Sequence, residues 1–121
     1  MRFLILLAVF LAQREAVAHH SAAAFDVSKT FALKGTLTRV DWRNPHVLIT
    51  VTIKGEDIAP ETWELETGAP SWFRGRNLAK AEIDAAIGQD VCIEGVRARD
   101  GSRYGYLYEL TFVDGRRWEL R

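Results

Sequence analysis

From Phe31 onward the chain alternates apolar and polar positions with the period of two that puts one face of a strand into a core. In "FALKGTLTRVDW" the residues Phe31, Leu33 and Leu37 share a side, and Gly35 stands where a bend or bulge fits. In "HVLITVTIKG" the residues Val47, Ile49, Val51 and Ile53 share one face, while Leu48, Thr50, Thr52 and Lys54 share the other. The link "RNPH" is a turn, because Pro45 fixes its own φ and drives Asn44 out of the helical region. After the polar loop "KGEDIAPE", "TWELET" reads as a third strand with Trp63 and Leu65 inward. Glu64 and Glu66 then fall on the outward side, where solvated edge charges account for them better than a pair built for acid/base work.

The period changes in "GAPSWFRGRNLAKAEIDAAIGQD". Ser71 fits as the N-cap of a short helix carrying Trp72 and Phe73, and a second helical piece over residues 80–87 ends at Gly88. Its apolar positions, Ala79, Ile83, Ala86 and Ile87, recur at helical spacing. Strand pattern then returns in "DVCIEGVRAR", "YGYLYELTFV" and a short "RRWELR", separated by two Asp-Gly turns of the kind tight hairpins favour. Three strands, a helical connection and two strands with a short return match a mostly β, five-stranded OB-like Greek-key barrel, its helical connection lying between strands three and four. A β-sandwich requires more strands than the pattern supplies.

The start of the chain has another character. Arg2, the apolar run over residues 3–12 and the small residues Ala16, Val17 and Ala18 form an export signal, cleaved after Ala18. The run is too short for a membrane span, which takes roughly 20 residues. The expected organisation is a signal peptide over residues 1–18, an extended segment over 19–30 and one barrel domain over 31–121, in a periplasmic or secreted protein. The whole chain balances 16 Lys and Arg against 16 Asp and Glu. Cleavage removes Arg2, Arg14 and Glu15 and leaves one acidic group in excess, which argues against nucleic acid as a partner. Cys92 is the sole cysteine, so no internal disulfide staples the domain, and its place in a strand suits a packed small hydrophobe better than a reactive thiol.

Five stretches carry a resemblance: "AHHSAAAFD", "GTLTRVDWRNPH", "PSWFRG", "GQDVCIEGVRARDGSR" and "LTFVDGRR". Over essentially the whole mature chain, the protein resembles a small exported bacterial family known only as a domain of unknown function. Members begin after the signal with His-His-Ser, carry a Trp-x-Asn-Pro-His turn and share a Gly-x-x-Val-x-x-x-Gly strand. The resemblance implies an exported OB-like barrel and brings no established activity. The chain departs from the pattern at Ala22, where members commonly carry an aromatic residue.

The three histidines fall at only two places, His19 with His20, and His46. Cleavage after Ala18 would make His19 the first residue, whose α-amine, with an ordinary pKa of about 7.7–8, chelates a metal together with its imidazole. His20 adds a second imidazole and His46 a third from the turn. That donor set favours copper first, then nickel or zinc. Asp26 and Asp41 are lesser oxygen donors. The competing reading makes His19 and His20 a polar terminus and leaves His46 satisfying a backbone group.

A second candidate is an aromatic and arginine face for an envelope glycan or a periplasmic partner protein, carried by Trp42, Tyr106, Arg97 and Arg99, with Tyr104, Tyr108 and Arg103 nearby. Trp63 and Trp72 read as core. Phosphate-loop and nucleophile-elbow signatures are absent, so no catalytic residue is assigned. The expected function is that of a binding or accessory module rather than a stand-alone enzyme, with a redox enzyme built on the N-terminal histidine a more remote possibility. Export of the full chain should produce a mature protein that starts at His19. Intact mass and N-terminal sequencing check this, and any other first residue removes the amine-imidazole chelate.

Overall fold

A computed structural model describes residues 22–121. A single 3-10 turn at Ala22–Ala24 leads into β1 (Phe25–Asp41), followed by β2 (Leu48–Ile53), β3 (Glu61–Glu66), α1 (Pro70–Gly75), α2 (Lys80–Ala85), β4 (Asp90–Ala98), β5 (Tyr104–Phe112) and β6 (Arg117–Glu119). The strands form a six-stranded sheet in the order β3-β2-β1-β4-β5-β6, and β3 pairs a second time, with β5. Every pairing is antiparallel except β3 with β5, which run parallel through Glu64–Tyr104, Leu65–Gly105 and Glu66–Tyr106. The mostly β class and the helical connection after the third strand agree with the sequence pattern. The strand count differs, because the short "RRWELR" return pairs with β5 and seats Trp118 opposite Leu110.

β1 begins earlier than its alternation suggests. Phe25 and Asp26 pair with Ala98 and Arg97, and the register then shifts before Thr30 meets Val96. Asp26 closes that irregular stretch, since its Oδ1 accepts from the Ser28 amide at 3.0 Å and the Ser28 hydroxyl at 2.6 Å. The bulge of β1 against β2 falls between Leu37 and Arg39, not at Gly35. Gly35 instead admits a close strand approach, because a Cβ there would lie 2.7 Å from the Thr52 carbonyl oxygen.

Alternation places Leu37, Ile49, Val51, Leu65 and Ile93 in a core that water does not reach, and a register shift of β5 against Glu94 and Gly95 lets both Leu107 and Leu110 join it. Each such side chain contributes about 1.5–3 kcal/mol by burial. The helices close one side of it with Phe73 and Ile83, and Phe73 packs 5.8 Å from Trp118. Pro70 at the first helical position starts α1, and Ala69 is its N-cap with no side-chain bond, so Ser71 does not cap it. Gly88, at φ 90°, turns the chain out of α2, and its amide donates to the Leu37 carbonyl at 2.7 Å.

The same alternation turns Cys92 outward between buried Val91 and Ile93, so the thiol is exposed and not packed in the core. Replacing Ile93 with Ala should cost about 2–5 kcal/mol. Gly95→Ala should cost about 1–3 kcal/mol, because its Cβ would lie 2.1 Å from the Tyr106 carbonyl oxygen. Val113→Ala, at a 70% exposed position, should stay within about 0.5 kcal/mol. Denaturant midpoints of the three variants measure the order.

Candidate functional site

His46 enters the structure from the turn between β1 and β2, just after the cis Asn44–Pro45 bond. The turn is tied to the end of β3: the Val47 amide donates to the Gly68 carbonyl at 3.0 Å, and the Thr67 amide and hydroxyl donate to the Val47 carbonyl at 3.0 and 2.9 Å. His46 Nδ1 lies 2.9 Å from the Thr67 carbonyl oxygen. A carbonyl only accepts, so Nδ1 donates its hydrogen there.

Nε2 faces a carboxylate. Glu66 Oε1 lies 3.1 Å from it, and the Glu66 side chain is only 1% exposed. The other carboxylate oxygen accepts from the Tyr104 hydroxyl at 2.7 Å. Glu66 is thus not the solvated edge charge its alternation suggests. It ends β3 between Leu48 of β2 and Tyr106 of β5, where aromatic side chains from two other elements converge. Phe25, from the start of β1, stacks with Tyr104 at 6.0 Å between ring centroids and meets Tyr106 edge-on at 5.6 Å.

Burial, with the hydrogen bond to Glu66 and its negative charge behind it, pushes the Tyr104 phenol far above the ordinary range. Burial and the same carboxylate also raise Tyr106. Beside the pair opens a cleft of about 330 Å³, lined by Phe25, Val27, His46, Glu66, Val96, Tyr106 and Tyr108. It is mostly apolar with a polar end, the usual composition of a small-ligand site.

The other predicted site residues are dispersed. Trp42 lies against the helices, 5.2 Å from the Phe73 ring, and its indole donates to Asp84 at 3.2 Å. Arg97 sits 4.9 Å from the Trp63 ring. Arg99 donates to the Ala23 carbonyl at 2.8 Å and lines a separate cleft with Glu64, Arg103 and Tyr104. Asp26 serves its Ser28 turn, and Asp41 pairs with Arg39 and Arg43 at 3.6 and 3.5 Å. His19 and His20 lie outside the described residues. Among the described residues no three His, Cys, Asp or Glu side chains gather as a metal cluster.

A family model described as a family of unknown function, DUF6152, matches residues 8–107. The chain belongs to that family. No curated protein and no solved structure matches it. In this DUF6152 chain the matched span takes in all three histidines, Glu66 and Tyr104, and stops short of β6.

Reading the residues in order finds His46 and misses Glu66. The only signals toward Glu66 were a histidine held in a rigid turn and a tyrosine-rich strand, and neither names a partner. A raised phenol binds its proton more tightly in the folded state than in the unfolded one. Stability is therefore retained below the ordinary phenol value of about 10 and falls as pH rises above it. Denaturant midpoints between pH 8 and 11.5 should drop more steeply for the native protein than for Tyr104→Phe.

Proposed function

We propose that the mature chain is an exported binding or accessory module that holds one divalent metal ion, copper before nickel or zinc, through His19, His20 and His46. We read its scaffold as an OB-like Greek-key barrel, because the pairings run β1 to β2 to β3 to β5 to β4 and back to β1.

One observation carries the metal reading. His46 donates Nδ1–H to a backbone carbonyl, as the competing reading expects, and the same bond fixes ring and tautomer in metal-ligating histidines. Its Nε2 sits at the edge of a cleft whose lining includes Phe25. Phe25 lies six positions after His19, a length of chain that spans at most about 20 Å. The terminal amine and two imidazoles of the mature start supply the donors that the described residues do not gather. Trp42, Tyr106 and Arg97 lie apart from the cleft that Arg99 shares with Arg103 and Tyr104, so the glycan or partner-protein reading keeps only that smaller arginine and tyrosine set.

Titration of Cu(II) into protein processed to start at His19 should give tight one-to-one binding. One alanine added ahead of His19 should weaken it by at least about 100-fold, since it removes the amine-imidazole chelate, and His46→Ala should weaken it as well. Equal weak binding in the native and extended proteins would sink the proposal and return attention to the aromatic residues.

A further inference from the structure

Outside the main core the sheet carries a second, smaller apolar cluster. Phe25 and Val96 are 4% and 2% exposed, yet neither belongs to the core that Phe73 and Ile83 close. They meet Tyr106 and Tyr108 around the cleft of about 330 Å³. The rings there stand steeply to one another: Phe25 and Tyr106 at 71° with centroids 5.6 Å apart, Tyr106 and Tyr108 at 62° and 6.1 Å. Rings set in this way wall a hollow and do not form a flat stacked surface. The irregular stretch of β1 between Asp26 and Thr30 adds Val27 to the lining, 69% exposed. A cleft of this volume stands at the small end of the range for small-molecule sites, which suits a compact group.

Charge narrows the class of ligand. The lining holds one carboxylate, Glu66, and neither lysine nor arginine. His46 gives one ring nitrogen to the Thr67 carbonyl and the other to Glu66, so it has no free donor for an incoming anion. Burial, with the Glu66 charge behind it, holds the Tyr106 phenol above its ordinary range, so the ring stays neutral. Aromatic faces attract cations through their quadrupole, most strongly where water is excluded. The same faces and the same carboxylate repel an anion.

We propose that this cleft is an aromatic cage for a small organic cation, a methylated ammonium head group, walled by Phe25, Tyr106 and Tyr108 and closed at its polar end by the ion pair of Glu66 with His46. Methylation matters because Val27, Val96 and the rings offer a bare ammonium few oxygen acceptors in place of its water. N-methyl groups spread the charge over an apolar surface that such walls cover. The cage does not rest on the metal reading, since Phe25, Tyr106 and Tyr108 are not among the ligands proposed there.

The test uses exported protein purified in EDTA, which keeps metal out. Choline and tetramethylammonium are titrated by calorimetry, beside the uncharged alcohol in which carbon replaces the choline nitrogen. Choline should bind one to one, and the uncharged alcohol at least about 10-fold more weakly, the scale of a desolvated cation–π contact. Tyr106→Leu should lose about 10-fold as well, while Tyr106→Phe should bind like wild type because its π face remains. Arg99→Ala, in the separate cleft, should bind like wild type.

Equal affinity for choline and the uncharged alcohol, or binding of neither cation, overturns the cage. If Tyr106→Leu does not fold, Tyr108→Leu, at a half-buried position, repeats the test. Nuclear Overhauser contacts from the choline methyl protons to the Tyr106 and Tyr108 rings of wild type then decide, and their absence overturns the assignment. Sedimentation with phosphatidylcholine vesicles that free choline competes away supports the cage with a lipid head group as its ligand. Choline binding without sedimentation supports it with a free solute.

Discussion

The pairing of β3 with β5 is the contact on which the site depends. It covers only three residue pairs, and it runs parallel in a sheet whose other pairings are antiparallel. It seats Leu65 in the core beside Gly105, and it leaves the next residue of β3 no route to solvent. Gly105 lets β5 lie close to β1 and β4 on its other side: a Cβ there would lie 2.7 Å from both the Phe31 ring and the Val96 carbonyl oxygen. Burial of Glu66 is a consequence of this packing, because β5 brings Tyr104 and Tyr106 over the end of β3 and β1 brings Phe25.

A buried carboxylate must find partners, and the chain supplies them from a short segment and its neighbours. Glu66 offers the carboxylate, Thr67 the carbonyl that takes the His46 Nδ1 hydrogen, and Gly68 the carbonyl that takes the Val47 amide. Three consecutive residues therefore fix where the histidine ring sits and engage both of its nitrogens. Tyr104 closes the other side of the carboxylate and is itself held in its neutral form by burial and by Glu66. Losing any one partner would leave a buried polar group unmatched, which couples the site to the stability of the fold.

Much of the framework was legible along the chain, since period-two alternation reports which face of a strand meets the core wherever that face stays the same along its length. Val47, Ile49, Val51, Trp63 and Leu65 follow it. So does Cys92: its outward position was already implied by inward Val91 and Ile93, and the general tendency of cysteine to be buried pointed the other way. Alternation misled at Glu66 for the opposite reason. It assigns an outward direction correctly but says nothing about whether another element covers that side.

The sequence by itself determined the mostly β class, the helical connection, the two Asp-Gly turns and His46 as the histidine held in a rigid turn. These depend on side-chain periodicity and local backbone chemistry, which act over a few residues. Only the tertiary structure decided that His46 and Glu66 meet, that Tyr104 holds the carboxylate, and that Trp42, Arg97 and Arg99 part company. Those outcomes depend on which strand lies beside which. That is set by the closure of distant pairings such as Glu66 with Tyr106 and Phe25 with Ala98, contacts that no local pattern encodes.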